Sequence, residues 1–227
     1  MQQRQATLFS ISKAHETQLQ MSRRIVFEDR LPADIRLVAG VDVAYAGDFS
    51  IGAATVLKHG TLDLLESKTA LCRTRTPYIP TLLSFREILP ITSSINKLTL
   101  QPDLFLVDGH GFAHPYRCGL ASHLGLVIGK PTIGVAKNKL FGEVKERSDW
   151  DVEYLKHNGE IIGAVVTTKT GSRPVYVSVG HMVSLRTAIK IVKEYAHDNR
   201  IPHPLLKAHE AATAKKRKIH IKSGINR

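Results

Sequence analysis

Two aspartates lie near the ends of two apolar segments of this 227-residue chain. Asp108 follows the apolar run 104–107, which predicts a buried strand, and Asp42 lies late in the strand predicted over residues 36–44. A carboxylate at the carboxyl end of a buried strand lies where open α/β sheets build their sites. Two adjacent carboxylates repel each other, and oxygen ligands of this kind favour Mg²⁺ or Mn²⁺ over zinc. Such a site can activate water and neutralise charge on a phosphoryl group.

Glu87, Lys137 and His209 are three further candidates for this chemistry. Glu87 lies off the predicted apolar stripe of its helix and could complete an acidic cluster. Lys137 follows a predicted strand and could meet a phosphate oxygen as a point charge. Each candidate also has a purely structural interpretation: a turn residue for Asp42, a solvated helix position for Glu87, an exposed lysine for Lys137 and an incidental histidine for His209.

The residues around Asp108 and a proline-flanked tyrosine indicate where a ligand could bind. Gly109 and Gly111 let the backbone approach a ligand or take conformations closed to other residues, although an Asp-Gly turn is the structural alternative. Tyr78 is held stiffly by its proline neighbours and could stack on or wedge between bases, or fill a core position. A zinc site is a weaker hypothesis, because the spacing of four further residues matches no closed zinc pattern: His110, His114, Cys118 and His123.

The elements that must position these residues follow an α/β order. Residues 36–44, 50–57 and 62–69 are predicted to form an antiparallel meander, preceded by a helix within residues 1–30. From residue 81 to 136 the order is helix, strand, helix, strand, which favours parallel pairing. The elements of this part are a helix over 81–89, a strand over 104–107, a helix over 117–126 and a strand over 132–136.

The predicted details of the helices and of the C-terminal part are specific enough to test. Pro90 is expected to end or kink the helix over 81–89, whose apolar face comprises Leu82, Phe85 and Leu89. A hairpin over 161–168 and 175–179 and a helix capped by Ser184 follow. Three antiparallel strands followed by α/β units is the order of the ribonuclease H-like architecture, a mixed sheet flanked by helices. In that architecture the first and fourth strands are neighbours, which would bring Asp42 close to Asp108.

Length, composition and charge bound the class of protein. We expect a single domain over residues 1–227, with a basic tail from about residue 207. The 32 Lys and Arg residues against 20 Asp and Glu give a net charge of +12, which favours a polyanionic partner. No apolar run is long enough to span a bilayer, and the amino terminus lacks the order of a signal peptide, so a cytoplasmic protein with no membrane partner is expected. Cys72 and Cys118 are expected to be buried free thiols.

Several ordered motifs together resemble the endonuclease V family, the deoxyinosine-directed nucleases of the ribonuclease H-like superfamily. The resemblance extends from about Ala39 to Ala212. It rests on Gly40-Val-Asp-Val-Ala-Tyr45, on Pro77-Tyr-Ile-Pro80 with Phe85-Arg-Glu87, on Val107-Asp-Gly-His-Gly111 continuing to His114-Pro115, on Ala121-Ser-His123 and on Pro131-Thr-Ile-Gly-Val-Ala-Lys137.

This resemblance implies a function and roles for the matched residues. It implies a Mg²⁺-dependent endonuclease, with Mn²⁺ as a substitute, that recognises hypoxanthine and cuts the second phosphodiester bond 3′ to it, leaving 3′-hydroxyl and 5′-phosphate ends in DNA repair. Asp42 and Asp108 would bind the metal directly. The catalytic set would be Asp42, Glu87, Asp108, Lys137 and His209. The substrate would be bound by the wedge Pro77, Tyr78, Ile79 and Pro80 and by Gly109, Gly111 and His114.

The resemblance also implies partners, and some positions depart from its pattern. The expected partner is deoxyinosine-containing DNA, or inosine-containing RNA, bound by a monomer. Thr81 stands where many members carry glycine after the wedge, Pro90 lies farther from Glu87 than is common, and Met182 occupies a frequent arginine position. The alternatives are an inosine-directed ribonuclease, another ribonuclease H-like nuclease, a non-cleaving binder of unusual nucleic acids and a general basic coat protein. The wedge argues against another ribonuclease H-like nuclease. The presence of Asp42, Glu87 and Asp108 argues against a non-cleaving binder and against a coat protein.

Overall fold

A mixed β-sheet of eight strands forms the centre of the described part of the chain. The computed structural model describes residues 10–144 and 151–224, with side chains described up to residue 219. The elements in chain order are α1 (Ile11–Ser22), β1 (Leu37–Ala46), β2 (Phe49–Lys58), β3 (Leu64–Arg73), α2 (Leu83–Ile95), β4 (Leu104–Asp108), α3 (Leu120–Ile128), β5 (Thr132–Ala136), β6 (Val152–His157), β7 (Glu160–Val166), β8 (Val175–His181), α4 (Leu185–Ala196) and α5 (His203–Gly224).

The strand order β3-β2-β1-β4-β5-β8-β7-β6 confirms the predicted α/β architecture. Strands β1 to β3 form the antiparallel meander, β4 pairs in parallel with β1, and β5 pairs in parallel with β4. Strands β7 and β8 form the predicted hairpin. Strand β6 was not predicted, because its sequence is mostly polar and only Leu155 within it is buried. The first and fourth strands are therefore neighbours, as the predicted architecture requires.

Side chains alternate between two cores, one on each face of the sheet. One core combines Leu104 and Leu106 of β4 with α4 and the start of α5. The other combines Phe105 and Val107 with α2 and α3. Because successive strand residues point to opposite faces, Asp108 shares the α5 face with Leu106. Helix α1 packs against α3 from outside.

The structure corrects the predicted form of α2. The helix continues through Pro90 to Ile95 and does not end there. Its buried face carries Ser84, Glu87, Pro90, Ile91 and Ser94, whereas Leu89 is exposed. Helix and sheet approach closely at Gly52, where an added Cβ would lie 2.0 Å from the Pro90 carbonyl oxygen. Packing of this face offsets the backbone hydrogen bond that Pro90 cannot donate.

Other boundaries differ less. Helix α3 begins at Leu120, three residues after the predicted start at Arg117, which has a left-handed φ of 55°. The basic segment from residue 207 belongs to α5 as far as Gly224. Residues 1–9 and 225–227 lie outside the described part of the chain. Cys118 is buried as predicted, whereas Cys72 is partly exposed; both are free. Among the described residues, no helix is both long and apolar enough to cross a lipid bilayer.

Candidate active site

The register of two parallel strands brings the two predicted aspartates together. Strand β1 pairs with β4 from Val38 opposite Leu104 to Val41 opposite Val107. Continuing the same offset by one residue places Asp42 beside Asp108, on the face of the sheet that α5 covers. Their side chains are 13% and 17% exposed, so both carboxylates are largely removed from bulk water but remain reachable.

Glu87 approaches the same region from α2, on the other face of the sheet. Its side chain is 7% exposed, which excludes the interpretation as a solvated helix position. The Tyr45 hydroxyl donates a hydrogen bond of 2.7 Å to Glu87 Oε1. The guanidinium of Arg86 lies 4.5 Å from the centre of the Tyr45 ring and donates to the carbonyl oxygen of Thr76 at 2.6 Å. Glu87 is therefore held by a defined set of contacts.

Each of the two aspartates has a basic partner. The Lys137 ammonium, at the end of β5, forms an ion pair with Asp108 Oδ2. His209 Nδ1, on α5, lies 2.8 Å from Asp42 Oδ2, although the imidazole itself is largely exposed. The second oxygen of Asp42 accepts a hydrogen bond from the backbone amide of Val43. The structure thus assembles all five predicted catalytic residues from five different elements.

Burial and mutual repulsion raise the pKa values of Asp108 and Glu87 in the cluster. Burial, followed by repulsion from Asp42, raises the pKa of Asp108, and Lys137 opposes both effects. Burial also raises the pKa of Glu87 to about 8; the Tyr45 hydrogen bond opposes this, and repulsion from Asp42 and Asp108 adds to it. A positive charge placed among these groups would therefore relieve both desolvation and repulsion.

The carboxylate pair fits a magnesium ion better than zinc. In the described part of the chain, no three His, Cys, Asp or Glu side chains are arranged as a complete metal-binding group. Mg²⁺ does not need such a group, because it keeps several waters and is commonly held by one or two carboxylates together with substrate phosphate. Asp42 and Asp108 supply two carboxylates, and the contact of Asp108 with Lys137 is made through Oδ2.

A pocket of about 370 Å³ opens beside the acidic cluster. Residues 78–81 with Ser84 line one part of it, and the loop after β4 and residues 136–140 line most of the rest. Asp108 and Lys137 lie at its edge and belong to both the pocket and the cluster. The volume lies within the range of small-molecule sites. Pocket and cluster thus form one continuous site.

The predicted substrate-binding residues divide between the pocket and its surroundings. Gly109 and His114 line the pocket, whereas Pro77 does not. Gly111 lies against β8, where an added Cβ would be 2.1 Å from the Val179 carbonyl oxygen, so its need for glycine is steric. Tyr78 is 69% exposed, which excludes the interpretation as a core residue. Its role as a wedge remains a prediction.

Of the three histidines in this region, His114 and His123 are buried and His110 is half-buried. Burial lowers the pKa of His110, His114 and His123 to about 4 in each case. Burial raises the pKa of the Cys118 thiol to about 12. Among the described residues, these four side chains are not arranged as a metal-binding group.

Two residues that support the site were not identified from the sequence. Tyr45 belongs to a motif already noted, but its contact with Glu87 depends on how α2 lies on the sheet. Arg200 donates to the backbone carbonyl oxygen of Lys137 at 2.8 Å and also to those of Arg173 and Pro174. No local pattern indicates this role, since Arg200 lies 63 residues from Lys137.

Comparison with known proteins identifies relatives of this chain. The family model described as Endonuclease V matches residues 19–210. An endonuclease V of Thermofilum pendens is 43% identical over 209 residues, covering 91% of this chain and 89% of that protein. The crystal structure of endonuclease V from Streptomyces avermitilis superimposes with a TM-score of 0.87 at 34% identity, covering 93% of this chain and 95% of that one.

A second solved relative was crystallised with nucleic acid. Endonuclease V of Ciona intestinalis, in complex with a 24mer DNA containing an inosine followed by a ribo-adenosine, superimposes with a TM-score of 0.85. Its sequence is 29% identical, and the match covers 92% of this chain and 98% of that one.

Proposed function

Because the chain belongs to the endonuclease V family and is therefore a nuclease, we propose that it cuts nucleic acid at inosine in a Mg²⁺-dependent reaction. The proposed substrate is DNA containing deoxyinosine, which the Ciona relative binds with a following ribonucleotide. The proposed position of cutting is the second phosphodiester bond 3′ to the inosine, with 3′-hydroxyl and 5′-phosphate products. The proposed role is the repair of deaminated purines.

The observation that carries this proposal is the continuity of the pocket with the acidic cluster. A base turned out of a duplex needs a pocket, and the phosphate to be cut needs the cluster. Asp108 and Lys137 border both. An extruded base in the pocket would therefore place a neighbouring phosphate beside the acids. Extrusion costs least at a mispaired base, which favours damaged positions.

The residues of the cluster have separable roles in this proposal. Asp42 and Asp108 hold the metal, which when bound would polarise a phosphoryl oxygen and lower the pKa of a water molecule. His209 orients the Asp42 carboxylate through its contact at 2.8 Å. Lys137 can exchange its contact with Asp108 for a phosphate oxygen, which it meets as a mobile point charge.

Glu87 and the wedge complete the proposed machinery. Glu87, held by the Tyr45 hydroxyl, retains its proton at neutral pH because its pKa is raised to about 8; a cation held by Asp42 and Asp108 would lower that pKa and let the ionised carboxylate accept a proton from the attacking water. The exposed Tyr78 is free to enter the space left by the extruded base. The pocket lining of Tyr78, Ile79 and Pro80 would then face the extruded base from one side.

The test is a nicking assay on matched duplexes that differ by a single deoxyinosine. Wild-type protein with Mg²⁺ should cut only the inosine duplex, one nucleotide beyond the lesion. Asp108→Asn keeps the shape of the side chain but weakens a metal ligand, so the rate should fall at least about a hundredfold. Asp63→Asn is the matched control, because Asp63 is an exposed aspartate near the opposite end of β1.

The outcomes distinguish the alternatives. Equal cutting of both duplexes would leave a nuclease without the proposed specificity. Tighter binding of the inosine duplex without cutting would favour a non-cleaving binder. A parallel assay on inosine-containing RNA decides whether the activity is that of an inosine-directed ribonuclease, and omission of Mg²⁺ tests the metal.

A further inference from the structure

The residue that ends the wedge, Thr81, is held in a backbone conformation that disfavours its own side chain. Its φ is 76°, in the left-handed region that residues with a Cβ rarely adopt. Thr81 lines the pocket directly after Pro80, and α2 begins two residues later. A β-branched residue remains in this region only where the surroundings hold it there. The contacts of Thr81 are therefore informative.

Three side chains hold Thr81, and two of them come from α1. His15 Nε2 lies 3.0 Å from the Thr81 hydroxyl oxygen. Gln18 Nε2 and His114 Nε2 each donate to the Thr81 carbonyl oxygen at 2.9 Å. We define His15 and Gln18 as the α1 brace. Both precede the part of the chain that the family model matches, which begins at residue 19.

The α1 brace also contacts the loop between β4 and α3. Gln18 is fully buried, and the same amide nitrogen that donates to Thr81 donates to the carbonyl oxygen of Cys118 at 2.9 Å. The His15 ring stacks on Tyr116, with ring centres 4.0 Å apart. Cys118 and Tyr116 belong to the loop between β4 and α3. One helix therefore contacts both the wedge segment and the loop between β4 and α3, and both of these contribute residues to the pocket lining.

We propose that His15 and Gln18 are positioning residues that set the separation of the wedge from the loop after β4, and so determine how readily an extruded base is bound. This inference rests on the proposed function. With the brace in place, the wedge is ordered before substrate arrives. Without it, binding must order the wedge, and that cost weakens binding of the inosine duplex. Cutting of bound substrate is unaffected, because neither residue contacts the acidic cluster.

The decisive variants separate bracing from folding. His15→Phe keeps an aromatic ring against Tyr116 but removes the contact with Thr81, and should raise KM for the inosine duplex about threefold to tenfold, with kcat within about twofold. His15→Gln can still reach the Thr81 hydroxyl and should restore most of the wild-type KM. Glu16→Gln, on the exposed side of α1, is the control and should match wild type.

Replacement of Thr81 by glycine tests whether KM can rise without a loss of stability. Glycine adopts the left-handed conformation without penalty, so Thr81→Gly should unfold at the same temperature as wild type or higher. The same variant lacks the hydroxyl that His15 contacts, so its KM should still rise. Because Thr81 also lines the pocket, the decisive comparison is made in the Thr81→Gly background: His15→Phe should raise KM no further there, whereas an additive rise would overturn a role through Thr81.

Hydrogen–deuterium exchange provides a readout that does not depend on activity. The Leu82 amide, which donates to the Ile79 carbonyl oxygen at 3.0 Å, should exchange faster in His15→Phe than in wild type or Glu16→Gln. Unchanged exchange together with unchanged KM would overturn the proposal. If wild type fails to prefer inosine, the proposed function fails, and the exchange rates alone then decide whether α1 orders the wedge.

Discussion

Glu87 is an acid held in the protein interior beside two others, and Glu87→Gln removes its charge while keeping its shape. Burial is the main cause that raises the pKa of Glu87 to about 8, and repulsion from Asp42 and Asp108 adds to it. The glutamine side chain retains an oxygen to accept the hydrogen bond from Tyr45. The variant should therefore be more stable than wild type in the absence of metal, by an amount that depends on pH.

The size of the effect follows from the proton affinities of the folded and unfolded chains. The unfolded carboxyl group titrates near 4.5, whereas the folded one retains its proton until the pH approaches 8. The contribution of Glu87 to the free energy of unfolding is therefore fully present below about pH 4.5. It is lost as the pH rises through the folded pKa of about 8. Relative to the uncharged variant, wild type is disfavoured by about 1 kcal/mol near pH 5 and about 5 kcal/mol near pH 9.

Urea unfolding with a chelator present measures this difference. The advantage of Glu87→Gln should grow by about 4 kcal/mol between about pH 5 and about pH 9, while its nuclease activity is lost. Glu66→Gln is the control of opposite sign, because the backbone amide of Leu100 is the main cause that lowers the pKa of Glu66 to about 2. This control should be less stable than wild type at both pH values. An advantage of Glu87→Gln that does not change with pH would refute a buried charge at Glu87.

Three further predictions concern the wedge, the lysine and the basic helix. Tyr78→Ala should leave the unfolding temperature unchanged, because the ring is 69% exposed, and should weaken binding of the inosine duplex by about 1–3 kcal/mol in a titration. Arg200→Gln releases the carbonyl oxygen of Lys137 and should lower kcat about tenfold or more with little change in KM in steady-state assays. Neutralising Lys215–Lys218 should weaken binding of damaged and undamaged duplexes alike and reduce the salt slope by about 0.9 for each phosphate that these residues no longer neutralise; an unchanged slope would show that they do not bind the DNA backbone.

The strands that carry the aspartates were predictable because their signals are local. Uninterrupted apolar residues over 104–107 indicate a buried strand wherever they occur, and the meander is marked by its turns. The pairing of β1 with β4 then followed from the order of the elements and is confirmed. The polar strand β6 escaped prediction, because its pairing with β7 stabilises it and its composition does not.

Helix α2 shows where local reasoning was wrong. Its most hydrophobic stripe predicted an inward face through Leu89, yet the helix buries Ser84 and Glu87 and leaves Leu89 in solvent. The helix lies close to the sheet at Gly52, where an added side chain would meet the Pro90 carbonyl oxygen. Glu87 is buried on the same stripe, where the Tyr45 hydroxyl reaches it. A site that needs a buried acid thus places a charged residue on the inward face of a helix, where hydrophobic periodicity alone would predict an apolar one.

Most of the strands, the acids and the family could be read from local patterns, because each of these signals lies within a few neighbouring residues. The contact of Arg200 with Lys137, the reach of α1 to Thr81 and the position of the pocket beside the acids could not be predicted in this way. These contacts join residues separated by 63 and 66 positions in the chain. Their geometry depends on how whole elements pack, and packing is a property of all the side chains together, which no local pattern encodes.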